Sequence, residues 1–324
     1  MKIVIMDTNR HAKLSSGYGN MARALAEGLA RRHHDVYFDS PTLCGDPQLD
    51  TLAKKQFVHT PETIYLWTKP PKYILNNNFH VENKNVFFTM HETETFEGEK
   101  KEWPLFLNRC KLIITPTEWN MKVFVSAGVT IPVVVVPLAV DTRYYHPYAA
   151  PDRFNVLTVH EAWGAESSRE NWQMTLEAFR ELFSGKNNVN LTVKTWNLKP
   201  EVMVEMQKSG MLENVSVTSM SLEPQAMASL YQQHFLFVKN SNREGWSIPL
   251  TEAMACGMPV IVYKNPVLTE NVRSYPQVSW FTKKDQLKYY LDYWYKVWRT
   301  SNEYLSMFSW RASLDRVEDA LELL

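Results

Sequence analysis

Short apolar runs alternate with polar turns and amphipathic segments from one end of the chain to the other. Lys2 to Met6 (KIVIM) reads as a buried strand. A polar loop, Asp7 to Ser16, follows, and Gly17-Tyr18-Gly19 then opens a helix whose apolar positions Met21, Leu25, Ala26 and Leu29 share one face. Asp35 to Phe38, Ile64 to Trp67, Asn85 to Met90, Lys111 to Thr115 and Val133 to Pro137 are further strands. Lys69-Pro70-Pro71 breaks the chain between two of them, and Thr117 is the expected N-cap of a helix running to Ala127. After a linker rich in Tyr and Pro, Tyr144 to Pro151, the alternation restarts with strands at Phe154 to Val159, Leu191 to Val193, Val215 to Thr218 and Phe235 to Lys239. Strand then helix, repeated in both halves, predicts two similar α/β domains.

The segment Asn240 to Val262 (NSNREGWSIPLTEAMACGMPVIV) concentrates the chemistry. It follows the apolar run FLFVK, passes through the turn Glu244-Gly245-Trp246-Ser247, and enters a helix expected to start near Ser247–Pro249 and to run to Cys256. The first N–H groups of such a helix have no intrahelical partner and carry its positive end, which suits an anion. Two carboxylates, Glu244 and Glu252, stand at this anion site. Carboxylates do not bind phosphate, but they accept hydrogen bonds from vicinal hydroxyls, so the pair points to a ligand carrying both sugar and phosphate. The plainer alternative is that Glu244 merely complements the helix dipole and Glu252 is a solvated helix residue.

Composition narrows the function classes. The 324 residues suffice for two domains, and 45% hydrophobic with 22% charged residues is an ordinary composition for a folded chain. Lys+Arg and Asp+Glu are 35 each, so no bulk field points to nucleic acid. Cys44, Cys110 and Cys256 are far apart and lack metal-ligand spacing, which reads as free thiols in a reducing compartment, with the cytoplasm expected. MKIVIMD has no signal-peptide core, and no run of 18 apolar residues occurs. Arg31-Arg32-His33-His34 has the composition of a weak peripheral membrane contact, although basic residues at a helix C-terminus are also what the macrodipole favours. The aromatic-rich helix Asp285 to Trp298 is expected to pack in the core.

The spacing of Glu244 and Glu252 within EGWSIPLTEAMACGMPVI resembles the E-x7-E signature of family 4 retaining glycosyltransferases. Most of the chain fits the resemblance: Leu230-Tyr231 with FLFVKNS before the motif, Phe308-Ser309-Trp310 after it, and PTEWN, AGV and VVVVPLAVD in the first half, ending at Asp141 near the hinge. The resemblance implies the GT-B fold: two Rossmann-like α/β/α domains with a deep interdomain cleft. The N-terminal, acceptor-side domain is expected over 1–145 and the nucleotide-sugar-binding domain over 146–300. A terminal helix in 301–324 is expected to pack back toward the first domain.

The site residues implied by the resemblance follow motif by motif. Glu244 would hold a hydroxyl of the transferred sugar and Glu252 the ribose hydroxyls. Gly245, Trp246, Ser247 and Ile248 would cradle the diphosphate, Gly17 and Gly19 would face the donor from the first domain, and Met220 lies in the turn that holds the base. His91, at the end of the strand Asn85 to Met90, matches a histidine beside the transferred sugar. The chain departs from the family where Gly-Arg is replaced by His160-Glu161 and where Arg-Lys-Gly or Arg-Lys-Asn becomes Arg169-Glu170-Asn171. Arg169, Lys194 and Arg243 are therefore the candidate cations. Gly17-Tyr18-Gly19 lacks a third glycine, and no acidic residue is read in dinucleotide position after the second strand.

The implied activity is metal-independent glycosyl transfer with retention of configuration, serving glycan biosynthesis. The donor would be a nucleotide diphosphate sugar and the acceptor a glycan, lipid-linked or other hydroxyl, with no cofactor, no metal site and no nucleic acid. Two rivals remain at this point: a degenerate transferase-like binding module, which the two glutamates at cation positions favour, and a nucleotide-sugar epimerase on the same fold.

Overall fold

The first strand, β1 (Lys2–Met6), is apolar on both faces because it lies inside a parallel sheet with β2 (Asp35–Asp39) on one side and β3 (Ile64–Trp67) on the other. The computed structural model describes residues 1–6, 17–39, 47–71, 84–148, 151, 153–160, 171–195, 198, 204, 208, 212–297 and 310–322. Among them, β4 (Lys84–Phe88), β5 (Leu112–Thr115) and β6 (Val133–Val135) complete a six-stranded sheet in the order β2-β1-β3-β4-β5-β6. Every pairing in it is parallel.

Helix α1 (Gly17–Arg31) buries Met21, Ala22, Leu25, Ala26 and Leu29, as its apolar spacing predicts. α2 (Pro47–Lys54) packs along β2, and α3 (Trp103–Leu107) adds Trp103 and Leu107 to a core shared with Val4, Trp67 and Phe87. α4 (Glu118–Ser126) starts where Thr117 accepts a hydrogen bond from the Asn120 amide at 3.0 Å.

The second sheet contains β7 (Phe154–Val159), β8 (Val189–Lys194), β9 (Val215–Thr218), β10 (Leu236–Lys239), β11 (Val260–Tyr263) and β12 (Val278–Phe281) in the order β12-β11-β10-β7-β8-β9, again parallel throughout. Among the described residues, this half includes the helices α5 (Trp172–Phe183), α6 (Pro224–Gln232), α7 (Ile248–Ala255), α8 (Pro266–Asn271) and α9 (Lys284–Val297). α9 divides its aromatics: Trp294 is buried and donates to Ser279 Oγ at 2.9 Å, Tyr290 and Tyr295 pack against the core, and Tyr289 and Tyr293 are exposed. The expectation of core packing for this helix therefore holds for one side only.

The chain forms two compact units, Met1–Ala139 with Phe308–Leu324, and Val140–Met307. The junction precedes Tyr145, which lies in the second unit with its ring buried against Tyr231. The stretch read as a linker is thus partly core: Tyr148 is also tied down, its hydroxyl 2.7 Å from the Tyr231 carbonyl and close to the carbonyl of His234, so that its one hydrogen is shared between them.

Within the first unit, α10 (Trp310–Leu321) docks on α1. Leu314 lies over Gly28, where there is no room for a Cβ. Arg32 pairs with Asp315 at 2.5 Å and with Glu318, and His34 Nε2 lies 2.7 Å from Glu318. Arg31 pairs with Glu27 at 2.9 Å. The basic cluster considered for membrane contact therefore has carboxylate partners, most of them supplied by a helix nearly three hundred residues away in sequence. No helix among the described residues is long and apolar enough to cross a membrane.

Candidate functional site

The site of the second unit grows from the C-terminal end of β10. In a parallel sheet that end is where loops carry ligand-binding groups. Asn240 fixes the strand end, its Nδ2 donating to the Asn171 carbonyl at 2.8 Å and to Thr175 Oγ1 at 3.2 Å, while its own carbonyl accepts from the Asn171 amide at 3.0 Å. Ser241 Oγ donates to the Arg243 carbonyl at 2.9 Å, and Asn265 Nδ2 donates to the Ser241 carbonyl at 2.8 Å. These bonds hold the turn 240–246 in front of α7.

α7 begins as expected, with Ser247 as N-cap and Pro249 in the first turn. Ser247 is an unusual cap, because its hydroxyl makes no capping hydrogen bond although the residue is fully buried. Ser247 Oγ and Trp246 Nε1 are both buried with no partner among the described residues. A buried polar atom without a partner is costly and calls for an explanation. Two of them, side by side at the N-terminus of an eight-residue helix, fit a ligand with hydrogen-bonding oxygens.

Both glutamates of the motif are buried, at 6% exposure each, so neither is a solvated surface group. Glu244 Oε1 lies 2.7 Å from Lys239 Nζ, and both side chains are almost wholly covered. Glu252 Oε2 accepts from Tyr231 at 2.8 Å, and Tyr145 also hydrogen-bonds the carboxyl. Burial pushes the Glu252 carboxyl up to about 7 against the opposing pull of the two phenols. Tyr231 Oη is also 3.1 Å from the Pro249 carbonyl. One hydroxyl hydrogen cannot satisfy both acceptors fully. When Glu252 is protonated, it donates to Tyr231 while Tyr231 donates to Pro249, an arrangement that suits a carboxyl titrating near neutrality.

The other sequence-predicted residues of this unit are less central. Lys194 ends β8, two strands from β10; it is buried, its Nζ donates to the Thr195 carbonyl at 3.0 Å, and burial lowers its pKa. Arg243 is exposed next to Glu244, and Met220 is 68% exposed after β9. Arg169, Glu161 and Glu170 lie outside the described residues.

In the first unit, Gly17 and Gly19 form the first turn of α1, and Tyr18 between them joins that turn to the end of β4. The Met90 amide donates to Tyr18 Oη at 3.2 Å, and Thr89 Oγ1 is equally close. His91 follows directly in the chain, so the Tyr18 side chain links the first turn of α1 to the strand end that carries His91. The His91 ring is buried, stacked on Phe96 with centroids 4.2 Å apart, and Nε2 lies 2.7 Å from Thr93 Oγ1. Burial lowers its pKa, so the ring is neutral and anchors its loop. β2 ends on Asp39, so an acidic residue stands at the end of the second strand, where the sequence reading had found none in dinucleotide position. Because Gly17 and Gly19 are helical and well separated from β1, the two features still do not compose a dinucleotide turn.

Sequence reasoning missed Lys239, Tyr231 and Tyr145 as site residues. Lys239 had a signal, a lone charge closing an otherwise apolar strand; Tyr145 had none, since it meets Glu252 only through packing.

Two parallel α/β units, the second presenting a helix N-terminus between two buried carboxylates, place the chain in the GT-B fold class. Residues 164–304, which lie within the second unit, match the family model described as Glycosyl transferases group 1. Among solved structures, HepE of Anabaena in complex with UDP-glucose aligns over 100% of both chains with TM-score 0.70 and 13% identity. Sucrose-phosphate synthase from Thermosynechococcus elongatus aligns over 100% of this chain and 97% of its own, with TM-score 0.68 and 13% identity. A trehalose-6-phosphate protein of E. coli bound with UDP-2-fluoro glucose covers 100% of this chain and 95% of its own, with TM-score 0.62 and 10% identity. No curated protein sequence matches the chain.

Proposed function

We propose that the protein transfers a glycosyl unit from a nucleotide diphosphate sugar to a hydroxyl acceptor, keeping the anomeric configuration and using no metal ion or other cofactor. The observation that carries this reading is the turn before α7, where buried Ser247 Oγ and Trp246 Nε1 have no partner among the described residues, beside two buried carboxylates. The helix N-terminus and these two donors would meet the charge that develops on the leaving diphosphate, the electrostatic task that dominates such reactions. Gly245 and Ile248 would complete the cradle, and Arg243, exposed in the same turn, would offer a cation to the phosphates. Glu252 would accept from the ribose hydroxyls and Glu244 from a sugar hydroxyl. His91 serves this scheme by shaping its loop, with Gly17 and Gly19 lining the same region of the first unit. The UDP and UDP-sugars named in the HepE and trehalose-6-phosphate structures make uridine donors the first to test.

The test is thermal unfolding with UDP, GDP, ADP and their sugar conjugates, on the wild type and on Glu252→Ala. A ligand at a hundredfold its dissociation constant adds about 2.7 kcal/mol, a shift of a few degrees for a chain of this size. One base should stabilise the wild type and lose most of that gain in the variant; no shift with any of them would remove the reading. Product formed with the stabilising donor should persist in EDTA and show the donor's anomeric configuration by NMR. A donor that binds without turnover on any hydroxyl acceptor would instead indicate a binding module.

A further inference from the structure

A carboxylate beside a diphosphate site is electrostatically adverse, because ligand and side chain carry the same charge. Glu244 occupies that position, in the turn immediately before the N-terminus of α7. The geometry resolves the conflict within the second unit: Lys239, the last residue of β10, turns into the protein and brings Nζ to 2.7 Å from Glu244 Oε1, with the two side chains only 3% and 7% exposed. Buried ion pairs contribute little net stability compared with apolar residues of the same volume, so fold stability alone gives a weak reason for one here. A carboxylate that must stay ionised to accept a hydroxyl, yet must not repel a neighbouring diphosphate, gives a direct reason. The cation is held five residues before Glu244, on a strand end pinned by Asn240 to Asn171 and Thr175.

We propose that Lys239 is a positioning residue that neutralises Glu244 and so allows a sugar-binding carboxylate and a nucleoside diphosphate to occupy one site. The proposal rests on the transferase reading above and adds to it a division of labour. Lys239 governs tolerance of the ligand's negative charge, and Glu244 governs the extra affinity conferred by the sugar. Removing Lys239 takes one positive charge away from the carboxylate near the phosphates. That penalty falls on charged ligands and spares the neutral nucleoside.

The experiment measures the affinities of UDP, uridine and UDP-glucose by calorimetric titration for the wild type, Lys239→Met, Lys239→Arg, Glu244→Gln and the double variant Lys239→Met/Glu244→Gln. Ligand-free thermal unfolding of each is followed alongside. If GDP or ADP is the diphosphate that stabilises the wild type, it and its nucleoside and glucose conjugate replace the uridine set. In Lys239→Met, UDP should weaken about tenfold, as expected for one unit charge several ångströms away, while uridine stays within about twofold. Lys239→Arg should stay near the wild type, and the double variant should regain UDP. Both variants carrying Glu244→Gln should lose the difference between UDP and UDP-glucose. Equal weakening of UDP and uridine in Lys239→Met would reduce the lysine to a structural role and overturn the proposal, as would unchanged UDP affinity or a double variant that fails to recover it. A wild type that binds none of the three diphosphates would overturn the transferase reading itself, and the proposal with it.

Discussion

Glu252 and His234 are both buried in the second unit, and burial moves their proton affinities in opposite directions. Glu252 rises from 4.5 to about 7; His234 falls from 6.5 to about 4. His234 is held neutral, with Nδ1 2.6 Å from the Leu230 carbonyl and Nε2 2.7 Å from Thr192 Oγ1. The raised carboxyl binds more protons folded than unfolded between about pH 4.5 and 7, so stability from this group is full below that window and is lost as pH rises through it. The depressed imidazole binds fewer protons when folded, so its contribution is present above pH 6.5 and is lost as pH falls toward 4. Each shift corresponds to about 3 kcal/mol across its window, and the two nearly cancel where the windows overlap. The second unit of the wild type should therefore show a nearly flat stability between pH 5 and 6.5, read by urea unfolding. Glu252→Gln should expose the histidine slope, with stability climbing by about 3 kcal/mol from pH 4 to 6.5. A variant profile superimposable on the wild type would show that Glu252 does not titrate there.

At the scale of elements, the contact between α1 and α10 is set by the absence of a side chain. A Cβ at Gly28 would stand 2.3 Å from Leu314 Cδ1, inside van der Waals contact. Alanine improves intrinsic helix propensity by about 1 kcal/mol, but overpacking a fitted contact costs about 1–3 kcal/mol, so Gly28→Ala should lower the stability of the first unit. Adding Leu314→Ala should recover part of the loss. If Gly28→Ala instead gains stability in chemical denaturation, the helix propensity term has won and the fit is loose. A second element-level case is the N-cap of α4. Thr117→Ala removes the acceptor for the Asn120 amide and should cost about 1 kcal/mol in the same measurement, whereas Thr117→Ser should not.

Across the whole molecule, the chain leaves the first unit at Ala139 and returns to it at Phe308. Deleting 308–324 should therefore reduce hydrogen-exchange protection in α1, which loses Leu314, Asp315 and Glu318, and leave protection in 154–297 unchanged. Reduced protection in the second unit instead would contradict that partition.

The sequence by itself determined most of the strands, several helix starts, the alternation that makes two α/β units, and the segment that carries the candidate site. Periods of 2 and 3.6, a Thr cap, a Pro in a first turn and the Glu244–Glu252 spacing are local signals, acting within one element or turn. Tertiary structure alone decided what those residues meet. It brought Tyr145 to Glu252 and set that carboxyl near neutrality, turned Lys239 inward onto Glu244, and covered Arg32 and His34 with carboxylates from α10. Charge state and burial depend on partners that packing brings together, often from far along the chain, and no local period encodes such partners.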